Sequence, residues 1–484
     1  ASRVWARGVT TSYTYQQDFL TLTDYSDTTP DVAMSYEPLG RQSTVTQTNQ
    51  SQIEYLYDPA NLALDLETVR YDIDRNGSYE FNRVIDRSRD AIQRNTGFDL
   101  KNGVTLENQA IYGHSLTDGR LATVGRTGVA PVSFSYGYTT NSNLPSTVGG
   151  PIHTVTNAWE ANRDVLDVKQ NKVGTTVISS FDYAVNAIGQ RSGVTTIGTA
   201  FPALPSWAWS YDALGQIVAA DSNVAASDRS YQYDAIGNRQ KSANSLVLPV
   251  ANNYSANATN AYTSVQLLGA TAVTPVYDFD GNATSYPLPV APASNSTLVW
   301  DAENRLISST VSNVTTSYQY DALSRRIAKT AGTNTFNYVY DGWNVIAEHR
   351  RLSGGTFVPS KTYLWGMDLS GTMQGAGGVG GLLAVQAGTT THFPTYDGNG
   401  NISEYLTATG SIAAHFEYDP FGNTVVNTDS GNLFNYRFST KPRDIETGLY
   451  YYGYCYYDPA TGRWPNRDPG RRRGRYKIIW VFEK

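Results

Sequence analysis

Aromatic residues recur two positions apart along this chain: Tyr55/Tyr57, Trp209/Tyr211, Tyr231/Tyr233, Tyr318/Tyr320, Tyr338/Tyr340 and Phe416/Tyr418. In a strand, i and i+2 lie on one face, so each pair offers two rings to one side. The polar positions that follow are as regular. An Asp comes next, able to bond backbone amides ahead of it and begin a turn. A Gly or Asn three or four residues later supplies the positive φ that closes the turn. A second strand then leaves, often opening with Arg, Leu or Ile. The pattern predicts short strands alternating with tight turns every 8–12 residues, hence an all-β chain.

The Tyr-Asp dipeptide occurs ten times. The clearest units start at Tyr211-Asp212, Tyr233-Asp234, Tyr277-Asp278, Tyr320-Asp321, Tyr340-Asp341, Tyr396-Asp397 and Tyr418-Asp419, with Trp300-Asp301 as a variant. In the good stretches the spacing is 22, 23, 20, 20 and 22 residues. A fixed period in this range marks a repeat architecture. Twenty-odd residues make two strands and two turns, and stacked units give a long twisted antiparallel sheet with tyrosine rungs.

Composition narrows the class. Charged residues are 17% of the 484, against about 25% in an average soluble domain. Ser, Thr, Asn, Gly and Tyr take their place, which points to an extended β-protein outside the cytosol. One cysteine, Cys455, excludes an intramolecular disulfide framework. A net charge of −6 gives no overall pull toward nucleic acid or membrane. No apolar run approaches the roughly 18 residues of a membrane span, and there is no signal-peptide pattern. The chain opens at Ala1 on polar sequence and reads as a piece of a longer protein.

The repeat resembles the YD-repeat, or RHS-repeat, family. The stretch from His392 to Pro469 resembles the RHS-repeat-associated core domain that ends such arrays, through YDPFGN at Tyr418, NYRFSTKPRDIETGLYYYG from Asn435, then YYDPATGRW and RDP. The expected organisation is degenerate YD-like repeats over 1–200, clear repeats over 201–360, a Gly-rich connection over 361–391, the core over 392–469 and a divergent basic tail over 470–484. The resemblance implies a β-sheet ribbon spiralling into a hollow shell, with the C-terminal core turned inward as a plug. It also implies a role: a bacterial, exported protein, secreted or on the cell surface, that encloses and delivers its own C-terminal toxin segment through a delivery machinery. That toxin is absent or degenerate here.

The family's core often carries an aspartic self-cleaving activity, in which two carboxylates share a proton. The resemblance places the first catalytic aspartate at Asp468 and the family's arginine at Cys455. After Pro469 the chain reads GRRRGRYKIIWVFEK, without a second Asp, so the centre is incomplete and Asp468 reads as a turn residue before proline. Cys455 reads as a buried, inert thiol.

Six tyrosines fill positions 450–457. As one strand, Tyr450, Tyr452, Tyr454 and Tyr456 share a face, opposite Tyr451, Cys455 and Tyr457, and rings on both faces predict a segment covered on both sides. Asp72–Gly77 mimics the start of an EF-hand loop, but its twelfth position is Arg83, so a hairpin turn is expected. The histidines lack metal-ligand spacing, the Gly-rich stretch from Gly371 lacks a P-loop ending, and no cofactor is implied. The competing function is carbohydrate binding at a cell surface through exposed rings such as Trp207 and Trp209. Such rings stand in water, whereas a container needs them packed in its wall.

Overall fold

The computed structural model describes residues 1–128, 130–248 and 251–467. These form 39 strands and two single-turn 3-10 segments, with no α-helix among the described residues. All but one of the repeats are built as the sequence predicts, with one refinement. In the Tyr320 unit, the Asp321 Oδ1 accepts the Leu323 and Arg325 amides at 3.0 and 2.9 Å, and its Oδ2 accepts Arg325 Nε at 2.7 Å. Ser324 N–H donates to the Asp321 carbonyl, Asp321 N–H to that of Arg325, and Ser324 sits at φ +66°. This is a tight turn closed by a left-handed residue and a one-residue bulge. Asp212, Asp234, Asp278, Asp301, Asp397 and Asp419 cap their turns in the same way.

The refinement lies in the tyrosine. The register slips by one residue immediately before Tyr211, Tyr233, Tyr277, Trp300, Tyr320, Tyr340, Tyr396 and Tyr418. The bulge aims each ring back along the ribbon. Its hydroxyl donates to the carbonyl that opens an earlier strand: Tyr211 to Arg191, Tyr233 to Ile217, Tyr320 to Leu306, Tyr340 to Arg326, Tyr396 to Leu382, Tyr418 to Ile402. Trp300 does this with its indole N–H, to Ala283. A strand pair plus this reach sets the period near 20 residues.

Asp341 departs from the expected turn chemistry. Gly342 and Trp343 alone join its two strands, with Asp341 paired to Asn344, and its carboxylate instead takes Arg87 Nη1 at 2.7 Å. Asp72 caps a hairpin, accepting the Asn76 and Gly77 amides. The Gly-rich stretch from Gly371 is held by a buried carboxylate. Buried Asp368 gathers the amides of Ser370, Ala376 and Gly378, and so fixes it before the strand Leu382–Ala387.

Within each sheet, strands pair antiparallel with their sequence neighbours. Strands from Ser2–Val4 to Tyr262–Gln266 make one 23-stranded meander, and those from Val276–Tyr277 to Thr424–Asn427 make a 14-stranded one. The ribbon therefore divides at 267–275, and both meanders run without a break through residues 200 and 391.

The second meander follows the first in the same direction. Arg7 meets Asp278 and Asp280; Thr29 meets Ala302; Gln50 meets the Tyr320 carbonyl; Tyr71 meets that of Tyr338. Asn108 Nδ2 spans the carbonyls of Ile346 and Tyr363, Asn171 reaches that of Tyr396, and Arg229 faces Asp419. Partners advance together along both meanders, as successive coils of a spiral must; a ribbon doubled back on itself would pair early with late. Residues of both coils, among them Tyr71, Phe98, Tyr338 and Tyr363, share one apolar core.

Candidate functional site: the seam that closes the ribbon

Beyond Asn427 the regular meander stops, and residues 434–467 cross back over the second coil. Gly422 marks the crossing: at φ +86°, a Cβ there would lie 2.6 Å from the Phe438 ring. Thr440 Oγ1 takes the Gly380 amide and donates to the Gly400 carbonyl. From there the segment lays its polar groups against successive repeats.

The charged centre of the seam is Arg326, the residue that opens the strand after the Tyr320 turn. It is 3% exposed. Its Nη1 donates to Asp444 Oδ2 at 2.6 Å and to the Tyr456 hydroxyl at 3.2 Å. The guanidinium stands 4.5 Å from the Tyr451 ring centre and 5.4–5.9 Å from those of Tyr318, Tyr338 and Tyr456. Lys329 reaches Asp444 at 3.6 Å and Glu446 at 2.9 Å. Burial alone would raise the Asp444 carboxyl, but Arg326 and Lys329 hold it below the usual carboxylate range.

The tyrosine run is not one strand. Tyr450–Tyr451 and Tyr456–Tyr457 are two short strands of a tight hairpin, paired 450 with 457 and 451 with 456. Tyr452 N–H bonds the Cys455 carbonyl, and Gly453 turns at φ +90°. The side-chain faces therefore fall differently from the single-strand expectation: Tyr450 and Tyr457 meet Phe438, while Tyr451 and Tyr456 meet the Arg326 cluster. Missing this followed from reading alternation across a glycine, whose freedom permits the reversal. Both faces are covered. Tyr456 shares its hydroxyl with Tyr320 at 3.0 Å, and Tyr454 packs on Trp343 with ring centres 4.7 Å apart.

Cys455 is buried, with Asn466 Nδ2 3.4 Å from its sulfur. Asp468 lies outside the described residues, as does the basic tail. The carboxylate that sequence reading passed over is Asp458. It ends the last Tyr-Asp pair, is fully buried, accepts the Ala460 amide and takes Thr461 Oγ1 at 2.7 Å. Thr461 in turn meets the Tyr286 hydroxyl at 2.8 Å. Burial pushes Asp458 up to about 6, against the lowering effect of those hydrogen bonds. The available signal was that the repeat's own dipeptide continues to Tyr457-Asp458. The segment that leaves this turn returns to the ribbon: the Pro465 carbonyl accepts Ala283 N–H at 2.8 Å, and Arg467 N–H donates to Asn282 Oδ1 at 3.2 Å.

The repeat residues Tyr320 and Tyr340 are buried wall, and Tyr211, Tyr233, Tyr277 and Tyr418 are partly covered. Trp207 and Trp209 pack against Phe181, Tyr183, Val194 and Phe201, so their ring faces serve the wall. Among the described residues no cluster of three or more His, Cys, Asp or Glu could hold a metal ion, and no helix is long and apolar enough to cross a membrane.

Solved structures share this fold. Over 97% of this chain the fold superposes on the crystal structure of TcdB2-TccC3-Cdc42, with a TM-score of 0.78 and 16% identity. The Tc holotoxin pore of Photorhabdus luminescens gives a TM-score of 0.77 over the same share, also at 16% identity. The fold is that of the TcdB2-TccC3 chain. No family model matches. Among curated proteins, the tRNA3(Ser)-specific nuclease WapA of Bacillus spizizenii is 25% identical over 246 residues, 49% of this chain. Toxin subunit YenC1 of Yersinia entomophaga is 43% identical over 65 residues, 13% of this chain. The chain spans 26% of the first solved relative's length and 9% of that nuclease's.

Proposed function

We propose that the chain is the closing part of a β-ribbon shell in an exported bacterial toxin, a container for a polypeptide carried at its C-terminal side. The observation that carries this reading is the seam. A spiral ribbon has an open end, and here the chain itself crosses that end and is fixed to repeats from Arg239 to Trp343 through Arg326–Asp444, Tyr320–Tyr456, Tyr286–Thr461 and Arg239–Ala460. Buried charges and hydroxyls at each crossing make the closure specific in register, because any slip leaves them unpaired. The TcdB2-TccC3 fold and the likenesses to WapA and YenC1, a nuclease and a toxin subunit by name, support the same role. The Tyr-Asp rungs hold the wall, and the enclosed toxin segment and the delivery machinery are the partners.

The test is shielding. A short peptide with a protease site is appended after Lys484 in one protein and before Ala1 in another. A shell closed by this segment leaves the C-terminal peptide far more slowly cut than the N-terminal one, and Arg326→Met narrows the difference. Equal cutting at both ends overturns the proposal.

A further inference from the structure

We propose that Lys169 and Asn157 form a covalent cross-link, an amide bond between the lysine Nζ and the asparagine Cγ, which the folded wall makes by itself. The two residues stand directly opposite each other on the paired strands Thr154–Trp159 and Leu166–Val173. Lys169 Nζ donates to Asn157 Oδ1 at 3.3 Å. The amide carbon is one bond from that oxygen, so a small rotation brings it into the near-attack range of roughly 3–3.5 Å.

The surroundings favour a nucleophilic amine. Lys169 is buried, with Phe181 as its neighbour on the following strand. Among the described residues it forms no ion pair, although buried charges are ordinarily paired. Burial pushes its amine down to about 8; Asp397 acts against this and Arg191 with it. A desolvated lysine close to neutrality is an activated nucleophile. Asn157 is held for attack as well. Its Nδ2 donates to the Pro145 carbonyl at 3.0 Å, which fixes the amide plane with Oδ1 toward Lys169.

A carboxyl group is at hand to carry the proton. Asn171, two residues beyond Lys169 on the same face, bonds the Tyr396 carbonyl, and Arg191 bonds that of Gly398. The turn that contains Asp397 is thereby seated over this part of the first coil. Burial raises the Asp397 carboxyl above the ordinary carboxylate range, against the lowering effect of Asn401 and Arg191. The step balances without an oxidant or a cofactor. The Nζ–Cγ bond forms, the Cγ–Nδ2 bond breaks, and the Nζ proton passes by way of Asp397 to the departing nitrogen, which leaves as ammonia. Asn157 is only half-buried, which lets the ammonia escape. The product replaces a buried amine by an amide and ties the hairpin shut. Lys441 gives a contrast: burial pushes it down to about 8 too, but its Nζ meets the Gly377 carbonyl, a backbone group with no side-chain amide to yield ammonia. The inference concerns the wall's own chemistry and goes beyond the container reading.

The test is the intact mass of the purified chain, followed by mass spectrometry of its tryptic peptides. The expected mass falls short of the sequence by one ammonia. Peptide 127–163 is expected joined to peptide 164–172 through Asn157 and Lys169, with no cut after Lys169. Lys169→Met should restore the full mass. Asp397→Asn should accumulate unlinked chain while its far-UV circular dichroism matches the parent's. The parent's peptides decide the matter whether or not the variants fold. A parent of full sequence mass, or an ammonia loss that maps to another asparagine, would overturn the proposal. Undiminished linkage in Asp397→Asn would overturn the part given to Asp397.

Discussion

Replacing Arg326 with Met tests whether the seam is held by its buried ion pair. Arg326 and Asp444 are 2.6 Å apart, with side chains 3% and 2% exposed. Removing one partner of such a pair costs about 3–5 kcal/mol, because the other charge stays buried without it. Two observations move the expectation within that range. Lys329 remains 3.6 Å from Asp444 and compensates in part. The lost stacking on Tyr451, at 4.5 Å, adds roughly 1 kcal/mol. The expected loss is therefore about 3–4 kcal/mol, concentrated in local opening of residues 434–467, since the ribbon strands keep their own ladders. At about 1.4 kcal/mol per tenfold, amide exchange at Tyr451, Tyr456 and Asp458 should accelerate by a factor on the order of 100 to 1,000. Exchange within Asn334–Asp341 should change little. Adding Asp444→Leu to Arg326→Met removes the stranded carboxylate, so the double variant should recover part of the protection. If Arg326→Met exchanges like the parent, or the double variant opens as readily as the single one, the pair does not hold the seam.

Asp458 gives a pH prediction. Its folded value is raised from the ordinary carboxylate range to about 6, so its contribution to stability is present below about pH 4 and is lost as pH rises through 6. Asp458→Asn, which cannot ionise, should therefore raise the melting temperature at pH 7–8, by up to roughly 3 kcal/mol of stability, and should not do so at pH 4; a thermal melt series checks both. Tyr320→Phe takes the hydroxyl from the Leu306 carbonyl and from Tyr456, and denaturant titration should show a loss of about 1–3 kcal/mol. Gly422→Ala meets the Phe438 ring and an unfavourable φ together, and should loosen the crossing enough for limited proteolysis to cut within 423–437 in the variant before the parent. On the expectation that Cys455 stands where the resemblance places an arginine and that Asp468 lacks a partner carboxylate, the purified chain should keep its last residues. An intact mass ending shortly after Asp468, abolished by Asp468→Asn, would show a working protease.

The repeat was legible because its chemistry is local. Asp321, Ser324 and Arg325 make their turn with one another, and a motif whose atoms all lie within five residues can be read from any copy. Asp341 shows the limit. Its dipeptide is the same, yet Gly342 with Trp343 makes a two-residue connection and frees the carboxylate for Arg87, 254 positions away. The bulge at each tyrosine was likewise invisible to an alternation count, because a one-residue slip changes which carbonyl faces out and not which residue is aromatic.

The seam was hidden for a related reason. Arg326 reads in sequence as one more residue opening a strand, like Arg239 or Ile402. What distinguishes it is Asp444, 118 positions on, and neither residue carries a local mark of the other. The pairing matters because it falls at the repeat nearest the tyrosine hairpin: Tyr451 OH takes the Arg326 amide at 2.8 Å while its ring lies beside the same residue's guanidinium. The residue that starts a wall strand is thus also the socket of the closing segment. A change that weakens closure there must disturb the wall's own hydrogen bonding unless it leaves the backbone amide in place. This is why Arg326→Met, which keeps the amide and removes the guanidinium, separates the two roles, and why replacing Tyr451 would not.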